Sequence, residues 1–580
     1  MPVTRRVTGM SRNYSAVDHI VAQLPAAGVR HIFGVDGANI EDLYDAAYFR
    51  PDITAVLAKH EFGAATMADG YSRSGAGLGV VAATSGGGAL NLIPGLGESL
   101  ASRVPVLALV GQAPRAMDGR GSFQDTSGRN GALDAEALFA GVSIFCERVL
   151  DPDDIVSALP RAIAAARRGG PAVLLLPKDV QQGTVTIGAC LRNGVRRPEP
   201  PPVGSPQPIL HALRDAHGPV TIIAGEQVAR DDARTELEEL RALLQARVVC
   251  VPDAKDVAGT PGLGASSALG VSGVMGNPSV ADAVAASALC LVVGTRLSQT
   301  ARAGLDAALA GVRTVSMGSA PPYLPCTHVQ TADLRAMLRM LCRALAGPGR
   351  PRWLRVPDTV SRTELRPPSY SGPGVRYRDT MRLLDHELPD GLDIVVDAGN
   401  TGAAAVHYLA PRCDGRFLVA LGMGGMGYSF GAGIGTAFAR GRRTVVIAGD
   451  GAFFMHGMEI HTAVQYRLPV LFVLLNNNAH GMCVTREQLF YHGWHSYNRY
   501  TPSHLGAGLA SMLPGLNAIE TADAEGFGAA LRTALAHNGP SVISVDCAAD
   551  EIPPFAPFLS AGVSAPTRRE DHRYVASSAR

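Results

Sequence analysis

Short apolar runs rich in β-branched residues alternate along the chain with glycine-containing turns and Ala/Leu-rich stretches. Each run has the length of one strand and no polar interruption, as at 104–112, 171–177, 220–226, 289–296, 443–451 and 468–477. Strands that are apolar on both faces are typical of parallel sheets covered by helices on both sides. The pattern therefore predicts an α/β fold built from doubly wound parallel sheets.

Two stretches rich in Pro and Gly, 196–208 and 347–374, interrupt this alternation. Their composition is typical of linkers. A chain of 580 residues is also too long for one hydrophobic core. We therefore predict three domains, at 11–190, 206–346 and 374–560.

Composition narrows the class of protein. Hydrophobic residues make up 47% of the chain, charged residues 18%, and the formal net charge is +1. This balance gives no electrostatic case for nucleic acid or membrane partners. The apolar runs are too short to span a bilayer, and no signal peptide is evident. The nine cysteines are scattered without a CxxC pair, so we expect a cytoplasmic, reducing environment.

Polar motifs close two strand-like runs in the last third: Gly-Asp-Gly at 449–451 and Asn-Asn at 476–477. Asp450 and Asn477 are 27 positions apart, which fits one helix (453–467) and one strand. A βαβ crossover brings such strand ends side by side. A carboxylate and an amide oxygen suit Mg²⁺, a cation that commonly bridges to phosphates, and glycines allow a diphosphate to approach the backbone closely. An isolated tight turn and a loop are the alternative explanation.

This pair of motifs resembles the cofactor-binding motif of thiamine diphosphate (ThDP, or thiamine pyrophosphate) enzymes of the acetolactate synthase, pyruvate decarboxylase and benzoylformate decarboxylase group. The resemblance implies Mg²⁺ ligands at Asp450, Asn477 and the Ala479 carbonyl. It also implies that a pyrimidine-binding, a central and a diphosphate-binding domain follow one another. The other cofactor-binding positions that it implies are Gly399, Asn400 and Thr401 (in DAGNT), Gly424 and Met426 (in GMGGMGYSFGAGIG), and Gly449, Gly451 and Ala452.

In the first third, AKHEFGAATMADGYSR (58–73) predicts an amphipathic helix and resembles the same family's "HE-x-x-A" segment. The resemblance implies that Glu61 contacts N1′ of the aminopyrimidine, where a buried carboxyl can hold a proton near neutral pH. IFGVDGANIEDLYDA (32–46) resembles the family's opening segment, which contains Gly37. GSFQDT (121–126) resembles the "FQET" of acetolactate synthases, so Gln124 is a further catalytic candidate.

The resemblance implies a lyase or carboligase that decarboxylates a 2-oxo acid and transfers the acyl group to a second carbonyl or another acceptor. Simple 2-oxo acid decarboxylation or 2-hydroxyacyl cleavage is the alternative, and a catalytically silent relative is a further one. An NAD-dependent oxidoreductase is excluded because the first βα turn lacks GxGxxG. Some acetolactate synthases hold FAD in the central domain, and the sequence leaves FAD undecided. The family forms homodimers, or dimers of dimers, with active sites shared between chains.

Departures from acetolactate synthases cluster in the expected substrate region. Ile144 stands where the family has Lys, Arg486 where it has Trp, and Asp36, Gly87 and Gly431 replace prolines. These departures favour a specialised rather than a housekeeping role. The aromatic and imidazole-rich loop at 488–500 could equally be a subunit contact. Candidate substrate-contacting residues are Phe123, His480, Met482, His492 and His495.

Overall fold

Three parallel sheets organise the chain. The computed structural model describes residues 14–75, 77–186, 202–258, 269–346, 362–412, 414–492 and 496–560. In the first domain the strands follow the order β2-β1-β3-β4-β6-β5. They are β1 (His31–Val35), β2 (Thr54–Leu57), β3 (Gly79–Ala83), β4 (Val106–Gln112), β5 (Phe145–Arg148) and β6 (Pro171–Pro177).

Helices cover both faces of this sheet, which explains why β3, β4 and β6 are buried along their whole length. The helices are α1 (Ala16–Gln23), α2 (Glu41–Tyr48), α3 (Glu61–Arg73), α4 (Gly87–Ala101), α5 (Ala135–Ala140), α6 (Ile155–Ala166) and α7 (Lys178–Gln182). His60 caps the amino end of α3, because its Nδ1 accepts the N–H of Phe62 at 3.1 Å.

The central domain has a smaller sheet in the order β11-β10-β9-β7-β8. Its strands are β7 (Val220–Ala224), β8 (Arg247–Cys250), β9 (Leu289–Val293), β10 (Thr314–Gly318) and β11 (Thr327–Gln330). Its helices are α8 (Gln207–Asp215), α9 (Glu226–Arg230), α10 (Arg234–Leu244), α11 (Ser279–Ala285), α12 (Gln299–Arg302), α13 (Asp306–Gly311) and α14 (Leu334–Leu345).

The third domain repeats the topology of the first, with the order β13-β12-β14-β15-β17-β16. Its strands are β12 (Asp393–Val396), β13 (Phe417–Val419), β14 (Thr444–Gly449), β15 (Val470–Asn476), β16 (Asn517–Thr521) and β17 (Ser541–Asp546). Its helices are α15 (Tyr377–Glu387), α16 (Asn400–Tyr408), α17 (Tyr428–Arg440), α18 (Asp450–His456), α19 (Ile460–Gln465), α20 (Gly481–Phe490), α21 (Leu505–Met512), α22 (Ala524–Ala536) and α23 (Ala556–Ser560). In both domains the chain reverses its direction of winding beside the first strand, which creates a crevice at the carboxyl edge.

Helices α3 and α17 pack directly against each other and join the first domain to the third. Glycines allow this approach: a Cβ at Gly435 would lie 1.9 Å from the Met67 carbonyl oxygen, and one at Gly70 would lie 2.2 Å from that of Ala432. A buried hydrogen bond crosses the same interface from the Tyr428 hydroxyl to Asp69, at 2.5 Å.

Arg416 lies where all three domains meet. Its guanidinium donates to Asp256 at 2.5 Å and to Glu226 at 3.2 Å, both in the central domain, and to the carbonyl of Arg73 in the first domain. The side chain is almost completely buried, so its charge is balanced within the protein. The relative position of the three domains therefore depends on specific polar contacts as well as on apolar packing.

The prediction of three doubly wound parallel sheets is confirmed, and each apolar run named above contains a strand. The single helix predicted at 453–467 is wrong: α18 ends at His456, a 3-10 turn covers Gly457–Glu459, and α19 follows. At this break the Glu459 carboxylate accepts the N–H groups of Lys59 and His60, at 2.9 and 3.0 Å. The parts 196–201 and 347–361 of the two predicted linkers lie outside the described residues, and the domain limits stay a prediction. Across the described ranges, no helix combines the length and apolarity that crossing a membrane requires.

Candidate active site

A cleft opens at the carboxyl edge of the third sheet, where β12, β14 and β15 end. Its volume is about 440 Å³ including its open mouth. It lies beside the reversal of winding between β12 and β14, where doubly wound sheets bind ligands. Its lining includes Gly399, Asn400, Thr401, Met426, Gly449, Asp450, Gly451, Ala452, Asn477, Ala479, His480 and Met482.

Asp450 and Asn477 share this cleft. Asp450 Oδ2 accepts the N–H of Ala479 at 3.0 Å, and burial raises the pKa of Asp450 to about 6 although neighbouring backbone N–H groups oppose the shift. The side-chain oxygen of Asn477 is buried and has no hydrogen-bond partner among the described residues. A nearby cation would favour the ionised carboxylate and engage the amide oxygen. These oxygens therefore fit Mg²⁺. They do not form a site of three or more His, Cys, Asp or Glu side chains, and the described residues contain no such cluster elsewhere.

The loop after β12 forms one wall of the cleft. Gly399 has φ +94°, a conformation that glycine adopts without strain, and it precedes the first turn of α16. Asn400 donates to the Thr485 hydroxyl at 3.1 Å, while its own side-chain oxygen is buried and finds no partner in the part of the chain that the structure describes. The wall thus presents backbone and amide groups to whatever occupies the cleft, which suits a polar cofactor tail.

Met426 projects into the opposite wall. Its Cε lies 3.1 Å from the position that a Cβ on Gly451 would take. Gly424, two residues earlier, has φ +67° and does not line the cleft itself. A thioether can fill an irregular gap, so this arrangement fits a side chain that supports a bent cofactor.

The first-domain candidates gather around the turn between β3 and α4. Glu61, only 9% exposed, accepts a hydrogen bond from Asn91 at 2.9 Å. The Glu61 carboxylate lies 2.9 Å from the position of a Cβ on Gly88. Gln124, with φ +58°, accepts from Ser85 at 3.4 Å. The structure therefore brings Glu61 and Gln124 to the same turn.

Gly37 belongs to the same first-domain group. A Cβ there would lie 2.8 Å from the Thr84 Cβ, so the loop after β1 lies directly against the loop after β3. This position is the reversal of winding in the first sheet, equivalent to that of the cleft in the third.

Glu61 is not among the residues that line the third-domain cleft of the same chain. The residue after Glu61 does contact the third domain: the ring of Phe62 stacks on that of His456 with 4.2 Å between centroids, and it lies 3.8 Å from the position of a Cβ on Gly425. One chain therefore contains both groups of candidate residues, but Glu61 does not line the cleft of its own chain.

The candidate substrate residues have different environments. His480 and Met482 line the cleft. Phe123 is 77% exposed beside Gln124, and His492 is exposed on the loop after α20. His495 lies outside the described residues.

Sequence reasoning missed Tyr500, although it lies in the aromatic loop singled out above. The Tyr500 hydroxyl and His480 Nδ1 are both buried without hydrogen-bond partners among the described residues. They lie 3.1 and 2.9 Å from the same point, the position of a Cβ on Gly451. Burial raises the pKa of Tyr500 further above its usual value, so its hydroxyl stays protonated and can donate to a group in the cleft.

A second cleft separates the first domain from the central domain. Arg167, Arg168 and Arg230 line it, and its volume is about 920 Å³ including its mouth. Burial and the nearby charges of Arg230 and Arg296 lower the pKa of Arg103 beside it. Asp231 also lines the cleft and pairs with Arg230 at 3.7 Å, which leaves Arg167 and Arg168 as the cations that could face a phosphate-bearing ligand such as FAD, the cofactor left undecided by the sequence.

Comparison with known proteins agrees with this geometry. Family models for thiamine pyrophosphate enzymes match the N-terminal TPP binding domain at 15–132, the central domain at 207–330 and the C-terminal TPP binding domain at 397–545. The acetolactate synthase isozyme 2 large subunit of Escherichia coli is 28% identical over 94% of this chain and 97% of its own. The probable acetolactate synthase large subunit of Methanocaldococcus jannaschii is 28% identical over 84% and 83%. The chain therefore belongs to the thiamine pyrophosphate enzymes and is an acetolactate synthase-like member of that family.

Proposed function

We propose that the protein is a Mg²⁺- and ThDP-dependent carboligase that decarboxylates a 2-oxo acid and transfers the acyl group to a second carbonyl or another acceptor. The observation that carries this proposal is the cleft in which Asp450, Asn477 and Ala479 meet. Acetolactate synthase relatives that cover most of the chain support the choice of reaction.

In this proposal Asp450, the Asn477 side-chain oxygen and the Ala479 carbonyl hold Mg²⁺, and the loop 399–401 faces the diphosphate. When bound, ThDP supplies the electron sink that makes a carbonyl carbon nucleophilic. The chain's own contribution is binding, orientation and exclusion of water. Met426 and the backbone of Gly424 position the organic part of the cofactor.

In this proposal Glu61 would hold and return a proton at its carboxyl group for the aminopyrimidine of the cofactor. Its burial and its hydrogen bond from Asn91 support this role, because both restrict where the carboxyl can point. Gln124 and Gly37 lie around the same turn and belong to the same end of the proposed site.

We propose that the active protein is at least a homodimer and that each site combines Glu61 of one chain with the third-domain cleft of another. The position of Glu61 outside the lining of its own chain's cleft supports this arrangement. Exposed apolar side chains also flank both groups: Leu90 beside Asn91, Met423 beside Gly424, and Phe454 and Met455 on α18. Exposed apolar groups of this kind commonly mark protein contacts.

A specialised substrate is our further proposal. Ile144 is exposed, and the Arg486 guanidinium lies over the ring of Phe490 at 5.5 Å, so neither reproduces the Lys and Trp of acetolactate synthases. Asp36, in place of a proline, accepts the N–H of Gly37 at 2.7 Å. Asp36 and Arg486 leave the cofactor-binding groups in place, whereas Ile144 lies at the amino end of β5, where its N–H donates to the Pro171 carbonyl.

Mass spectrometry of products tests the reaction. The protein is incubated with ThDP, Mg²⁺ and a panel of 2-oxo acids, each with and without an aldehyde or a second 2-oxo acid. Carboligation predicts a product with the combined mass of donor and acceptor minus CO₂. An aldehyde one CO₂ lighter than the donor would instead identify a simple decarboxylase, and absence of turnover across the panel would favour a silent relative.

Complementation tests the shared site. Inactive Glu61→Gln and Asp450→Ala chains are mixed under conditions in which subunits exchange. A shared site predicts recovery of activity, because one of the two sites in each mixed dimer is intact. Activity that stays at the mutant level, while native mass spectrometry detects mixed dimers, would place the whole site within one chain.

A further inference from the structure

Glu98 of α4, in the first domain, accepts hydrogen bonds from the loop that carries Gly424 and Met426. Glu98 is 3% exposed. Its Oε2 accepts the N–H of Met423 at 2.6 Å and that of Gly424 at 3.3 Å, and its Oε1 accepts that of Gly422 at 3.2 Å. One buried carboxylate thus orients three consecutive peptide groups more than 300 residues away in the chain.

A second buried carboxylate holds the far end of the same loop. Asp397, at the end of β12, accepts the N–H of Gly427 at 3.0 Å and that of Ser429 at 2.9 Å. Between the two anchors lie the Gly424 carbonyl, Gly425 and the side chain of Met426. Charge-assisted hydrogen bonds are short and directional, so they restrict how this middle part can point.

We propose that Glu98 is a positioning residue: it fixes the backbone of 422–424 so that the Gly424 carbonyl and Met426 are already arranged for the organic part of the cofactor. This inference rests on the proposed function. It also assigns to the first domain a role in the cofactor site of its own chain, in addition to the role of Glu61 in the partner's site.

Glu98 has two other partners, which define the competing explanation. Its Oε1 accepts from Ser102 at 2.6 Å and pairs with Arg73 at 3.3 Å. Burial alone would raise the pKa of Glu98, but Arg73, Ser102 and the loop amides together lower it, so the carboxylate is ionised at neutral pH. In the competing explanation Glu98 stabilises the structure through Ser102 and Arg73, and its hydrogen bonds to the loop amides do not determine the loop conformation.

Hydrogen exchange in the cofactor-free protein separates the two explanations. In the wild type the amides of Met423 and Gly424 should be protected, although the Met423 side chain is 68% exposed. Glu98→Gln keeps the size of the side chain but removes one acceptor oxygen, and exchange at these amides should accelerate at least about tenfold. Tyr428→Phe is the matched control, because it removes a hydrogen bond to Asp69 at the same interface and leaves the loop amides paired.

Calorimetric titration with Mg²⁺ and either ThDP or inorganic diphosphate completes the test. Glu98→Gln should weaken ThDP binding about tenfold or more and leave diphosphate binding at the wild-type value, because the Asp450 and Asn477 end is unchanged. Tyr428→Phe should change neither affinity.

Rapid exchange of both amides in the wild type would overturn the proposal, and so would unchanged exchange in Glu98→Gln. Equal weakening of both ligands would also overturn it, since that result indicates general structural support. A wild-type protein that binds neither ligand would instead refute the proposed function, and the exchange data would still decide whether Glu98 holds the loop.

Discussion

Replacing Gly435 by alanine tests the close approach of α3 and α17, on which the relative position of the first and third domains depends. The new Cβ would lie 1.9 Å from the Met67 carbonyl oxygen, short of an ordinary contact of 3.4 Å by 1.5 Å. Both partners are helix backbone, so no flexible side chain can yield. The two helices must therefore move apart.

The expected change in the free energy of unfolding follows from two opposing effects. Overpacking a close-packed contact costs typically about 1–3 kcal/mol, and the rigid backbone partners favour the upper end. Alanine is better than glycine within a helix by about 1 kcal/mol. We expect Gly435→Ala to lower the free energy of unfolding by about 2 kcal/mol, and the apparent unfolding midpoint by about 5 °C.

Gly508→Ala is the matched control, because a Cβ at Gly508 in α21 meets no atom within 4 Å. It should leave the midpoint unchanged or raise it slightly. Thermal unfolding followed by circular dichroism compares the wild type and both variants at one protein concentration. If Gly435→Ala unfolds at or above the wild-type midpoint while Gly508→Ala behaves as expected, α3 and α17 do not pack as described.

Four further outcomes are expected. Glu61→Gln should fold normally and lose roughly 10²–10⁴-fold in turnover; steady-state rates at wild-type level would exclude its proton role. Asp450→Ala or Asn477→Ala should abolish Mg²⁺-dependent ThDP binding in calorimetry, and retained affinity in either would contradict the metal assignment. Burial raises the pKa of Glu551 to about 7, so the folded state binds its proton more tightly than the unfolded state. Stability should then fall by on the order of 3 kcal/mol as pH rises from about 4.5 to about 7, and Glu551→Gln should flatten this dependence in chemical unfolding. If the second cleft holds FAD through its arginines, Arg168→Ala should weaken binding in a flavin-fluorescence titration, whereas no binding by the wild type would remove FAD from the list of cofactors.

Much of the fold was predictable because parallel strands leave a local signal. The runs at 171–177 and 468–477 have uniform apolar character, since β6 and β15 are covered on both faces. The positions of Asp450 and Asn477 follow from the same logic: carboxyl ends of neighbouring parallel strands meet at one edge of the sheet. The cleft was therefore predictable to the extent that it is built from strand ends.

The 3-10 turn between α18 and α19 was not predictable from local pattern, and it coincides with a contact to another domain. The segment has helical composition throughout, and one glycine at 457 does not by itself end a helix. The Glu459 carboxylate binds the start of α3, some 400 positions away. A contact at that separation leaves no periodic trace in the sequence.

Helix α4 shows why the remaining parts of the site escaped sequence reasoning. Asn91 and Glu98 are seven positions apart, which is about two turns, so they lie on nearly the same face of the helix. Asn91 binds Glu61, while Glu98 binds the backbone of 422–424. In the proposed dimer these contacts serve two different cofactor sites, one in each chain. A polar residue on a helix face has many possible roles, and only the tertiary structure reveals that this face contacts both Glu61 and the backbone of 422–424.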